Sequence, residues 1–121
     1  RTPKENQPFT GVNLMPFLWG ENTTEPHKEL MWRFTISASI REGNWKLIRL
    51  PDRLPLLYNL ENDTSELNNI ALKNLDKTKE LLKKLGKWDV QLPHPLFLEG
   101  PIWRKNQVEQ YDKEYSVEQP K

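Results

Sequence analysis

Cations crowd one short stretch of this chain. In SIREGNWKLIRL, residues 39 to 50, Arg41, Lys46 and Arg49 surround a Glu42-Gly43-Asn44 turn beside Trp45, and Arg33 lies a few residues upstream. Guanidinium groups held on a sheet suit sulfate, phosphate or carboxylate, because their donors form a planar fork that matches two oxygens at once. The same cations can instead line a solvated face, their stems covering apolar neighbours. Trp32 and Trp45 offer flat surfaces for sugar rings, yet aromatic residues at strand spacing more commonly fill a core. His27 and His94 each adjoin a proline in loop, with no His or Cys at metal-ligand spacing nearby, so their simplest reading is structural or exposed. Catalytic and metal signatures are missing. The chain has no cysteine, no Gly-rich phosphate loop, no serine in a nucleophile-elbow context and no acidic run resembling a calcium loop.

The elements that must hold these side chains follow from periodicity. Leu30, Trp32, Phe34, Ile36, Ala38 and Ile40 share one parity against Met31, Arg33, Thr35, Ser37, Ser39 and Arg41, the alternation of half-buried strand, one or two strands long. Gly43 supplies the positive φ of a hairpin turn, and residues 45 to 50 pair back. A second turn cluster at residues 51 to 55 returns Leu56–Leu60 as another antiparallel strand. Asp63-Thr64-Ser65-Glu66 has the spacing of a capping box, which predicts a helical turn there. Asp76 is placed to cap a longer helix, with Leu81, Leu82, Leu85, Trp88 and Leu92 as a core stripe and five lysines opposite. Upstream, VNLMPFLWG predicts a short helix with Pro16 in its first turn and Gly20 at its end. The expected fold class is therefore α+β: a small antiparallel sheet of about four strands with a long C-terminal helix packed on one face.

Composition sets bounds on partners. Among 121 residues, 18 Lys and Arg against 17 Asp and Glu leave a net charge of +1, so no bulk field draws the chain to nucleic acid or an anionic membrane surface. No apolar run approaches the roughly 20 residues of a membrane span, and the first 25 residues lack the apolar segment of a signal peptide. A mean hydropathy of −0.83 with five Trp argues for a folded core that is shared with something outside the chain or diluted by polar tails. The chain begins with Arg1 rather than Met, as a segment of a longer polypeptide would.

Four stretches in order resemble the C-terminal end of the formylglycine-dependent, arylsulfatase-like sulfatases. GVNLMPFLWGE matches their Asp-Gly-x-x-Leu-x-Pro-x-Leu-x-Gly segment through Gly11, Leu14, Pro16, Leu18 and Gly20. HKELMWRF resembles their His-x-x-Leu-x-Trp-Arg strand, IREGNWKLIR their Arg-x-Gly-x-Trp-Lys-Leu hairpin, and LLYNLENDTSELNNIA their Glu-Leu-Tyr-Asp-Leu-x-x-Asp-Pro-x-Glu-x-x-Asn-Leu-Ala segment. Thr10, Asn59 and Thr64 depart from the pattern. So does the lack of Cys/Ser-x-Pro-x-Arg, the motif of the modified nucleophile.

The resemblance implies a C-terminal subdomain without catalytic residues of its own, set beside an active-site mouth. The missing N-terminal catalytic domain would hold the formylglycine and calcium, and the location would be periplasmic or extracellular. On this reading residues 1–25 are a linker and a short apolar segment that docks on that domain, residues 26–95 are the sheet and helix, and residues 96–121 are an extended polar tail. Residues placed to touch a sulfated saccharide are His27, Arg33, Arg41, Trp45 and Lys46. Two further function classes stand beside it: a stand-alone module binding acidic saccharide through Trp and Arg, and an interaction domain that self-associates through the apolar patch at Val12–Trp19. A domain built to dock exposes that patch; a free module covers it.

Overall fold

The computed structural model describes residues 11–51, 53–97, 100–102, 105, 106 and 109. Its elements are α1 (Met15–Leu18), β1 (Glu29–Phe34), β2 (Ser37–Glu42), β3 (Trp45–Arg49), β4 (Leu56–Asn59) and α2 (Leu75–Asp89). The strands form one antiparallel meander in the order β1-β2-β3-β4, with α2 laid across β2 and β3. This is the α+β arrangement that periodicity predicts.

Two-residue turns join the first three strands. Glu42 pairs with Trp45 around Gly43-Asn44, and Gly43 takes φ +56, which costs a residue without Cβ little. Phe34 pairs with Ser37 around Thr35-Ile36, with Thr35 at φ +52, an outlier for a β-branched residue. This turn overturns the single parity expected from Leu30 to Ile40. Across a two-residue turn, residues sharing a face have opposite parity, so Met31 stands beside Ile40 and Arg33 beside Ala38. Leu30, Trp32 and Phe34 consequently point away from α2 and are exposed. Trp32 is not a core residue.

The core lies between the sheet and α2. Ala38, Ile40, Leu47 and Leu57 meet Ala71, Leu81 and Leu85, with Met31, Trp45, Ile70, Leu82 and Trp88 around them. Thr78, buried on the same side of α2, donates its hydroxyl to the Ala71 and Asn74 carbonyls at 3.1 and 2.9 Å, so no polar group is left unmatched there. A smaller cluster on the opposite face gathers Leu50, Leu56 and Tyr58 with Ile48 and Leu60. The outer side of β4 is closed by a side chain: Leu57 N–H donates to Asn69 Oδ1 at 3.0 Å, and Ile70 N–H donates to the Leu57 carbonyl at 2.9 Å.

Other expectations need correction. Asp63 does not start a helix. Its carboxylate accepts from the Leu67 and Asn68 amides at 3.0 and 2.8 Å, closing a loop in which Glu66 sits at φ +57. Asn74 rather than Asp76 holds the cap position of α2, and Asp76 lies in the first turn, where its charge favours the helix dipole. In the tail, residues 101, 102, 105, 106 and 109 have helical backbone rather than the extended form expected. Residues 1–10 of the predicted linker and most of the tail fall outside the described residues. No helix among the described residues is long and apolar enough to cross a membrane.

Candidate functional site

The sheet sorts its cations onto two faces. Arg33 and Arg49 flank Ala38 from the strands on either side. The small side chain between them lets both guanidiniums converge on Asp89: Arg33 Nη1 to Oδ1 at 3.3 Å and Arg49 Nη2 to Oδ2 at 2.8 Å. Asp89 ends α2, where a carboxylate opposes the dipole. The hydrogen bond from Arg49 does most to hold its carboxyl below the usual range, with Arg33 adding to it against partial burial. Arg33 Nη2 also donates to the Pro93 carbonyl at 2.5 Å, tying down the chain that leaves the helix. Arg33 is thus a structural clasp, not a free cation for substrate.

Glu42 makes the second clasp on this face. It receives Lys77 Nζ at 2.8 Å together with Lys84, and those two hydrogen bonds, Lys77 first, lower its carboxyl. Both lysines are raised in return, chiefly by the hydrogen bond to Glu42. Trp45, its neighbour across the turn, packs against the core cluster and so joins the helix-side face as a structural residue.

On the opposite face Arg41 and Lys46 are direct cross-strand neighbours. Lys46 is held by Glu66 at 2.5 Å. Arg41 is exposed and anchored by Nε donation to the carbonyl of Gly43 at 3.1 Å; among the described residues no carboxylate lies within ion-pair distance of it. Beside Arg41 opens a hollow of about 240 Å³ lined by Glu25, Pro26, His27, Lys28, Leu30, Arg41 and Gly43. Leu30 is the cross-strand partner of Arg41 and brings the loop preceding β1 against the β2–β3 turn.

Of the five residues expected to touch a saccharide, the fold therefore brings His27 and Arg41 together. Arg33 and Trp45 turn to the helix, and Lys46 has an acid partner. Lys28 and Glu25 escape a search by residue type, since nothing in a loop sequence marks which neighbours share a concavity with a distant hairpin. The advance signal is that both lie within two residues of His27. Among the described residues no group of three or more His, Cys, Asp or Glu is placed to share a metal ion.

A second hollow, of about 440 Å³, lies between α2 and the loops before it, lined mainly by Leu54, Pro55, Ala71, Leu72, Leu75 and Leu82. Further apolar surface stands open: Val12, Leu14, Met15, Leu18 and Trp19 around α1, and Leu30, Trp32, Phe34 and Ile36 along β1 and its turn.

No protein-family model matches the chain, and no curated protein does. Among solved structures it is similar to crystal structures of Ps i-CgsB, with a TM-score of 0.62 for one and 0.61 for the complex with k-i-k-neocarrahexaose, at 23% identity in each. The superposition covers 96% of this chain and 28% of that chain. The likeness establishes a shared fold, and this chain corresponds to little more than a quarter of that protein's length.

Proposed function

We propose that this chain is the C-terminal, non-catalytic portion of a sulfatase, a sulfuric ester hydrolase, whose catalytic portion lies in other residues of a longer polypeptide and acts on sulfated saccharides. The observation that carries this is the coincidence of two likenesses. Four sulfatase-like motifs occur in order along the sequence, and the same residues fold as a piece of Ps i-CgsB that accounts for 28% of its chain. A crystal of that protein with k-i-k-neocarrahexaose supports a saccharide as the carrier of the ester.

In this reading the chain supports the mouth of the active site. The apolar residues of α1, with Phe34 and Ile36 at the far end of β1, supply the area that would bear on the catalytic portion. Formylglycine and calcium belong to that portion. The residues here fit neither, since the chain has no cysteine and no Ser-x-Pro-x-Arg, and its described residues offer no metal cluster. An exported location accompanies the reading.

The test is sulfate release from a sulfated oligosaccharide. We expect release by the longer polypeptide, carrying a Cys/Ser-x-Pro-x-Arg upstream of Arg1, and none by the 121-residue chain alone. Release by the 121-residue chain, or a longer polypeptide without that motif, overturns it.

A further inference from the structure

The hollow beside Arg41 permits a sharper statement, which rests on the reading above. We infer that it is a subsite for a sulfate ester on a saccharide ring, gripped by Arg41 with Lys28 and His27.

The first argument is what Arg41 lacks. Arg33 and Arg49 are engaged by Asp89, and Lys46 by Glu66. Arg41 alone of these four sheet cations has no carboxylate partner among the described residues. Its Nε is tethered to the carbonyl of Gly43, which limits the rotamers of a long side chain and leaves the terminal donors for a ligand. Pre-orientation of this kind reduces the ordering cost of binding.

Charge and oxygen count then choose the ligand. Lys28 and Arg41 against one lining carboxylate, Glu25, leave a single net positive charge, which an anion of single charge matches. A phosphate monoester carries close to two negative charges at neutral pH and would leave the hollow with a surplus negative charge beside Glu25. A carboxylate offers two oxygens, both engaged by the Arg41 fork, so Lys28 and His27 would have to share acceptors already in use. A sulfate ester is a monoanion with three terminal oxygens, one pair for Arg41 and one for Lys28 or His27. Pro26 and Leu30 provide an apolar wall for the ring that carries it. The volume of about 240 Å³ is below that of pockets for drug-sized ligands and suits one substituted ring. Trp32, two residues along β1 on the same face and exposed, stands about 7 Å further on, where an adjoining ring would lie.

Titration of the isotopically labelled 121-residue chain, followed by NMR, tests this with four probes: galactose 4-sulfate, glucuronate, galactose and inorganic sulfate. We expect galactose 4-sulfate to shift resonances of residues 25–30 and 41–43 with Kd of about 1 mM. Glucuronate, galactose and inorganic sulfate should each bind about tenfold more weakly or worse. Arg41→Gln should weaken galactose 4-sulfate by about tenfold, and Lys46→Gln by less than about twofold. Unchanged amide shifts of Leu81 and Leu85, buried and remote in sequence, certify the fold of each variant; should Arg41→Gln disturb them, Lys28→Gln takes its place, with a loss of about threefold or more expected. Absence of any shift, affinity retained in the variant, or a competing probe binding as tightly as galactose 4-sulfate overturns the subsite. Sulfate release by the longer polypeptide is an independent readout. Release with a failed titration removes only the subsite, whereas a successful titration without release removes the hydrolase and leaves a binding module.

Discussion

The two faces of the sheet differ in how completely they are partnered. On the α2 side, Ile40, Leu47, Leu57, Leu81 and Leu85 are fully enclosed, and every cation on that face named above has an acid partner. On the other side, the β3–β4 half has its own small cluster, while the β1–β2 half shows Leu30, Trp32 and Phe34 to the outside and leaves Arg41 without a carboxylate among the described residues. Burial and charge pairing thus stop at the same boundary. Residues on the closed face hold the chain together; those on the open half are available for contact with something else.

Substitutions can break or sharpen this contrast. The largest effect is expected from Leu81→Ala or Leu85→Ala, which opens a cavity in the enclosed face and should cost about 2–5 kcal/mol in denaturant unfolding. A loss below about 1 kcal/mol would mean that α2 is not seated on the sheet. Asp89→Asn comes next, at about 1–2 kcal/mol, because two arginines lose a shared anion that is only partly shielded from water. Its acid behaviour is a second check. Asp89 and Glu42 have folded-state carboxyls lowered below their unfolded range, so their stabilisation is complete above that range and disappears as pH falls below about 4. The Asn variant should show a shallower decline there than the parent chain. Removing residues 12–19 should leave the thermal midpoint within about 3 °C and improve solubility, since α1 contributes none of the buried core. A collapse would place α1 inside the domain's own core. The smallest effect is expected from Trp32→Ser, within about 0.5 kcal/mol, as at an exposed site. A loss as large as that of Leu81→Ala would erase the distinction between the faces.

Much of the fold was legible in the residues. Gly43 announces the β2–β3 turn, Pro16 and Gly20 bracket α1, and the leucine stripe locates α2 because helical period and amphipathicity are local properties. The Thr35-Ile36 turn was not legible, since a β-branched pair is poor turn chemistry and the alternation runs through it without a break. That one turn moves Leu30, Trp32 and Phe34 from the core to the surface. The site was half legible. Arg41 and His27 are visible as residue types, but the partners that withdraw Arg33, Arg49 and Lys46 from it lie 20 to 56 residues away in sequence. Long-range ion pairs leave no periodic trace.

The Asn69 carboxamide and the Ile70 amide that seal β4 leave β1 as the sheet's one unsealed margin among the described residues. Two chains joined there would consume both available margins and present sealed ones at either end. Lateral growth by strand addition would then terminate at a closed pair and could not continue into a fibre.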